Sequence, residues 1–183
     1  MPGDCRLTVS NRKGEERSFT VRRCSEADLD EIMELQDMVA DLTGSDIFVE
    51  TTREEMTESL SCDLCLGVYD ADRLIAFGLM VCGRVTPRNL GTYLGYDDER
   101  LLQCVTYDTT FVHPDYRGYG LQRSLGQMRD RAAAESGARE ALSSVSPENP
   151  HSLDNVLKRG FGIISETALY GGRRRYILRK EFL

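Results

Sequence analysis

The chain has 183 residues, 40% hydrophobic and 29% charged, with six Cys, two His, no Trp and a formal net charge of -7. That length suits one domain spanning residues 1–183, with an extra strand and turn in 1–17, and the composition excludes disordered and fibrous classes. An acidic chain lacks the basic face of a nucleic-acid binder, the ten-residue apolar run from Leu74 to Gly83 is half the ~20 residues a membrane-spanning helix needs, and no positively charged apolar leader opens the sequence, so a cytoplasmic protein without nucleic-acid or membrane partners is expected.

Leu7 to Val9 can pair with a strand over Ser18 to Cys24 through a turn at Asn11 to Gly14. Ser25 then caps a helix whose apolar face is Leu29, Ile32, Met33, Gln36, Val39 and Ala40, ending at Gly44. A second helix is predicted from Thr51, with Thr51 and Glu54 as a capping box, to Leu60. Residues 25–72 carry fifteen acids against the single Arg53, whereas 113–183 carry twelve Lys and Arg against eight acids. The split predicts one end suited to a cation and another suited to an anion, with charged solvated helix faces as the plain alternative.

Leu64 to Tyr69 and Leu74 to Cys82 read as a hairpin. The long connection Arg84 to Gln103, with a helical turn at Asp97 to Glu99, leads into a central strand over Cys104 to Val112. After it come a glycine turn, a helix with Leu121, Leu125, Met128 and Ala132 on one face, a strand at Glu140 to Val145, and a helix from Pro150 to Arg159 capped by Asn149. Strands at Ile163 to Tyr170 and Arg174 to Lys180 finish the chain around Gly171 and Gly172. The order predicts an α/β (α+β) fold with helices on both faces of a sheet. The Cys read as reduced buried thiols; Cys62 and Cys65 form a C-x-x-C, but no second ligand pair accompanies them, so no metal is expected.

The most informative stretch is FVHPDYRGYGLQRSL, residues 111–125. Gly118 and Gly120 precede a helix N-terminus whose free N–H groups and dipole favour an anion, and Arg117 and Arg123 add charge. A dinucleotide fingerprint fails because Arg123 stands where its third glycine would be, and no G-K-[ST] follows for a P-loop.

Arg117, Gly118, Tyr119, Gly120, Leu121 and Gln122 resemble the pyrophosphate motif [QR]-x-x-G-x-[GA] of the GNAT superfamily of acyl-CoA-dependent N-acetyltransferases, with Gln122 in place of the final small residue. The motif follows Val112, His113 and Pro114, a strand ending V-x-P, and the family's N-x-x-[AS] helix ending in G-F is matched by Asn149 to Ser152 and Gly160 to Phe161. The resemblance spans Phe19 to Leu183. It implies a mixed, mostly antiparallel twisted sheet of about seven strands with a V-shaped split between central strands. It also implies acetyl-CoA as cosubstrate, with pantetheine on Phe111, Val112 and His113, diphosphate on Arg117, Gly118, Tyr119, Gly120, Leu121, Gln122 and Arg123, and Asn149 touching the pantetheine. A homodimer is compatible with such a fold, although no strand edge declares itself as an interface.

Many members of that family carry a Tyr acid seven residues after the Asn, and a Glu base five before it is common; here those positions are Val156 and Ser144. Asp108, placed by strand alternation on the face of Thr110 and Val112, is the substitute base, directly or through water, or else a structural carboxylate. Tyr170 is the candidate acid, with Tyr107 and Tyr176 behind it. If the acidic helices border the acceptor, a cationic small-molecule or peptide amine is favoured, with spermidine or an aminoglycoside ahead of a neutral arylamine. Against this stand a noncatalytic acyl-CoA sensor or partner domain, motivated by Ser144 and Val156, and an unrelated phosphate-ligand binder.

Overall fold

The computed structural model describes residues 4–44 and 47–182. β1 (Cys5–Ser10) and β2 (Glu16–Arg23) form a hairpin, its turn held by Asn11 Oδ1, which accepts the N–H groups of Lys13 and Glu15. β2 turns Phe19 and Val21 into the core and leaves Thr20 exposed, the alternation of a strand with one buried face. β3 (Leu64–Asp70) and β4 (Arg73–Val81) are apolar on both faces and lie between helices. With β5 (Cys104–Val112), β6 (Glu140–Val145), β7 (Gly162–Leu169) and β8 (Arg173–Glu181) they make one eight-stranded sheet ordered β1-β2-β3-β4-β5-β6-β8-β7. The N-terminal strand accounts for the eighth. Every pairing is antiparallel except β5 with β6.

α1 (Leu29–Thr43) and α2 (Arg53–Cys62) cover one face, packing Ile32, Leu35 and Met56 over Phe77, Leu79 and Phe111. α4 (Leu121–Glu135) and α5 (Pro150–Leu157) cover the other, where Leu121, Leu125 and Val156 meet Ile75, Val105 and Leu178. Each such side chain contributes about 1.5–3 kcal/mol on burial. The short α3 (Asp98–Leu102) lies in the long connection before β5, at the acidic patch expected to form a helical turn. Buried Asn89 pins that connection, donating to the carbonyls of Arg84, Leu101 and Cys104.

Most element ends shift by one or two residues from the sequence expectation, and three differences are at helix ends. α1 begins at Leu29, after a 3-10 turn over Glu26–Asp28 in which Ser25 N–H donates to the Asp28 carboxylate at 2.8 Å. α5 ends at Leu157, short of Arg159. The capping box of α2 is Thr52 with Glu55, not Thr51 with Glu54: Thr52 N–H donates to Glu55 Oε2 and Glu55 N–H to Thr52 Oγ1. Thr51 is instead buried, its N–H and carbonyl both bonded by the side-chain amide of Gln36, at 3.0 and 2.9 Å. Gln36 sits on the apolar face because it substitutes for a missing backbone partner there.

Asp28 accepts from both terminal nitrogens of Arg22, at 3.0 and 2.5 Å, and from Tyr69 Oη at 3.1 Å. Bonding to Arg22 holds its carboxyl well below the ordinary range. A depressed folded pKa stabilises the protein above the unfolded value of ~3.9, and that contribution is lost as pH falls through the folded value. Asp28→Ala is expected to cost roughly 2–3 kcal/mol at neutral pH, shrinking below about pH 4, measured by urea unfolding across pH.

Candidate functional site

β5 and β6 part company along their length. They pair in parallel from Cys104 opposite Glu140 to Tyr107 opposite Ser143, where Ser143 Oγ donates to the Tyr107 carbonyl at 3.2 Å. Beyond that point β5 pairs only with β4 and β6 only with β8. The result is a V-shaped gap opening into a cleft of about 1790 Å³ that runs from α1 and α2 past the fork to the glycine turn. His113 N–H bonds Ile75 O at 2.8 Å, so Phe111, two residues back, also bonds toward β4. Alternation then turns the N–H and C=O of Val112 into the gap.

A β-bulge sets which side chains face which end. Gly78 opposes Thr110 but Met80 opposes Tyr107, so Asp108 and Thr109 together face Leu79. The extra residue breaks the alternation assumed from sequence. Thr110 Oγ1 accepts from Arg129 of α4 at 2.6 Å, whereas Asp108 faces α2 through an ion pair with Arg88. The expectation that Asp108 shares the face of Thr110 and Val112 is therefore corrected. Arg88, delivered by the connection that Asn89 pins, also donates to the Glu55 carbonyl and to Ser59 Oγ.

Burial raises the Asp108 carboxyl above its ordinary value, with Arg88 opposing the shift. Tyr170 stands across the gap in the β7–β8 turn at φ 49°, a left-handed conformation that a bulky residue adopts only under strain. Its hydroxyl lies 3.0 Å from Ser144 Oγ, and its phenol is pushed up to about 12, by burial first and by Asp108 second. Tyr107 Oη is committed to Asp130 at 2.7 Å, Tyr176 pairs opposite Val145 on β8, and Val156 is core.

At the other end, Gly120 adopts φ 73° and opens α4 without a side-chain cap. The N–H groups of Gly118, Tyr119, Gly120, Leu121, Gln122 and Arg123 find no acceptor among the described residues, and Arg117 and Arg123, which line the cleft beside them, have no ion-pair partner there. This arrangement fits a bulky anion. Tyr119 and Leu121 side chains pack into the core, so only their backbone faces the turn. Gln122 Oε1 accepts from Asn155 at 3.2 Å, tying α4 to α5. Asn149 caps α5, accepting Ser152 N–H at 3.0 Å, and its side-chain NH₂ faces the cleft without a partner among the described residues. His113 turns away: its buried ring takes a bond from Arg73 at 2.7 Å, and burial with Arg73 lowers its pKa.

Sequence reading missed the group that holds the fork together. Asp130 of α4 accepts from Tyr107 on β5, from Arg159 at 2.7 Å and from Lys180 of β8 at 2.9 Å. Arg159 reaches it by crossing Gly126, where any Cβ would lie 2.5 Å from the guanidinium. Among the described residues all six Cys are free, but Cys5 and Cys62 are exposed rather than buried as expected, and no group of three or more His, Cys, Asp or Glu could hold a metal. No helix is long and apolar enough to cross a membrane.

No model of a protein family matches this sequence, and no curated protein does. Solved structures do. The GNAT domain of S. lividans PAT superposes with a TM-score of 0.70 at 15% identity, covering 97% of each chain. The PaiA N-acetyltransferase of Thermoplasma acidophilum, solved in complex with coenzyme A, gives 0.68 at 16% identity over 91% of this chain and all (100%) of that one. YncA of Salmonella typhimurium, solved with its cofactor acetyl-CoA, gives 0.68 at 16% over 89% and 93%. The chain thus has the fold of GNAT acetyltransferases.

Removing the Asp130 carboxylate would leave half-buried Arg159 and Lys180 without their anion. Asp130→Ala is expected to cost about 3–5 kcal/mol in urea unfolding, against under 1 kcal/mol for exposed Asp154→Ala, whose partner Lys158 is solvated.

Proposed function

We propose that this protein transfers an acetyl group from acetyl-CoA to a primary amine by direct attack on the thioester, in the cytoplasm. The observation that carries the reading is the two-ended cleft, with open N–H groups and arginines at one end and a carboxylate facing a tyrosine at the other, joined by an unpaired stretch of β5. Diphosphate oxygens suit the N–H groups of 118–123, pantetheine suits the free edge of β5 and the Asn149 amide, and the thioester carbonyl then lies near Val112 N–H, which stabilises the oxyanion.

An alkylammonium of pKa ~10.4 must lose its proton before attack, at about 4–5 kcal/mol near pH 7. Asp108 takes that proton, directly or through a water; burial raises its carboxyl and makes it a better base than an exposed one, while the pairing with Arg88 opposes that shift. The C–N bond forms, the C–S bond breaks, and Tyr170 Oη meets the departing thiolate. A phenol raised to about 12 is protonated at neutral pH and donates a hydrogen bond to the sulfur as charge gathers there, full transfer to a thiolate whose thiol has a pKa of ~8.5 being uphill.

Acetyl-CoA at 100 times Kd is expected to raise the unfolding free energy by about 2.7 kcal/mol, read as a higher Tm; no shift at saturation would overturn the reading. Asp108→Asn is expected to lower kcat with an amine by ~10²–10⁴ without weakening acetyl-CoA binding. An unchanged kcat assigns Asp108 a structural role, and acetyl-CoA binding without turnover of any amine leaves the sensor domain as the better description. Since Arg88 lowers the Asp108 pKa, Arg88→Met should move the acid limb of the kcat/KM profile to higher pH.

A further inference from the structure

The acceptor end is lined differently from what the charge of its helices suggests. Of the acids on residues 25–72, only Glu50 and Glu55 reach the cleft among the described residues. Five of the others are paired with arginines away from it: Asp28 with Arg22, Asp30 with Arg53, Asp70 with Arg17, and Glu58 and Asp63 with Arg84. The deeper charges, Asp108 and Arg88, neutralise each other. Thr43, Thr51 and Arg175 also line this end, but its larger uncharged side chains are apolar: Val39 and Leu42 of α1, Phe48, Phe111, Tyr93 and Tyr170. Leu42 is 62% exposed, Tyr93 53% and Tyr170 36%, so three of the larger apolar side chains left in water converge on this mouth. Apolar surface gathered at the rim of a cleft marks a binding surface.

The end is also short. Arg175 of β8 donates to the Ile47 carbonyl at 3.2 Å, and Gln36 clamps Thr51, so the α1–α2 connection is tied to the far half of the sheet across the acceptor end. An extended peptide running through would have to break that bridge.

We infer that the acceptor is a small monoamine carrying an aromatic or branched apolar body, its single ammonium drawn by Glu50 and Glu55 and its body held by Leu42, Tyr93 and Tyr170. This rests on the acetyl-transfer reading and narrows it. A polyamine or an aminoglycoside would bring further ammonium groups against apolar walls, where each loses water without gaining a carboxylate. The cationic acceptor anticipated from segment charge thus becomes a monocation.

The test compares 2-phenylethylamine and tryptamine with spermidine, kanamycin and a short peptide bearing a free N-terminus, in a thiol-release assay with acetyl-CoA and calorimetric binding to the CoA complex. The expected result is a kcat/KM about tenfold or more higher for the two aromatic amines. Leu42→Glu, at a well-exposed position, is expected to cut that preference about tenfold through KM, and Tyr93→Ala to weaken phenylethylamine binding while leaving the acetyl-CoA Tm shift unchanged. Spermidine, kanamycin or the peptide matching the aromatic amines, or a preference unmoved by Leu42→Glu, would overturn the inference and leave acetyl transfer standing. Turnover of no amine alongside a normal acetyl-CoA shift would overturn both the inference and the catalytic reading; absence of that shift would remove cofactor binding itself.

Discussion

The architecture depends on one carboxylate. A sheet that splits between two of its strands gives up ladder hydrogen bonds where its halves separate, and something else must hold them in register. Asp130 does this from α4, taking Tyr107 from one side of the fork and Lys180 and Arg159 from the other. Arg129, its neighbour in sequence, donates to the carbonyls of Leu79 and Thr109 at the bulge and lies 4.8 Å from the Tyr107 ring. Three buried or half-buried cations around one anion would be unfavourable in isolation. Here the surplus charge is met by carbonyl oxygens and by the face of Tyr107, flanked by Arg129 and Arg159. The cleft is open because this polar knot closes its base.

The bulge in β5 decides what the opening contains. In a regular strand Asp108 would point with Thr110 toward α4, into the charges around Arg129. One added residue opposite Leu79 sends Asp108 to the α2 side and leaves Thr110 to bond Arg129. The same stretch of backbone therefore presents an acid to one end of the cleft and peptide groups to the gap. Arg129 stabilises this irregular segment by bonding carbonyls on both strands, so helix, bulge and acid are parts of one arrangement rather than separate features.

Much of this was legible in residues whose local patterns are self-sufficient. The cap at Asn149, the β3–β4 hairpin and the glycine turn each depend on a few neighbours, and each forms where its pattern places it. What stayed hidden depends on pairing across the chain. The bulge is a count of residues between two strands and leaves no mark in either one. Asp130 reads as an ordinary polar position on an amphipathic helix until Tyr107 and Lys180 are brought to it. The shift of the capping box from Thr51 to Thr52 is of the same kind, since Thr51 and Thr52 are chemically equivalent and Gln36, on another helix, chooses between them.

Under the acetyl-transfer reading, the replacement of the expected Glu and Tyr has a physical logic. Ser144 stands on β6 where the resemblance puts a carboxylate, and its hydroxyl meets that of Tyr170. A carboxylate at 144 would face Asp108 across the narrow part of the gap, and two like charges there would keep one of them protonated. With Ser144 in place, the single carboxylate sits on the β5 wall, paired with Arg88, and the tyrosine comes from the β7–β8 turn instead of from α5. Val156 is then free to join the core beneath α5. The strain of holding Tyr170 at φ 49°, roughly 1–2 kcal/mol, is tolerable because Gly171 and Gly172 carry the rest of the reversal at φ 78° and 93°. The carboxylate has crossed the gap to β5 while the tyrosine stays on the β6–β8 side, so the two still face each other.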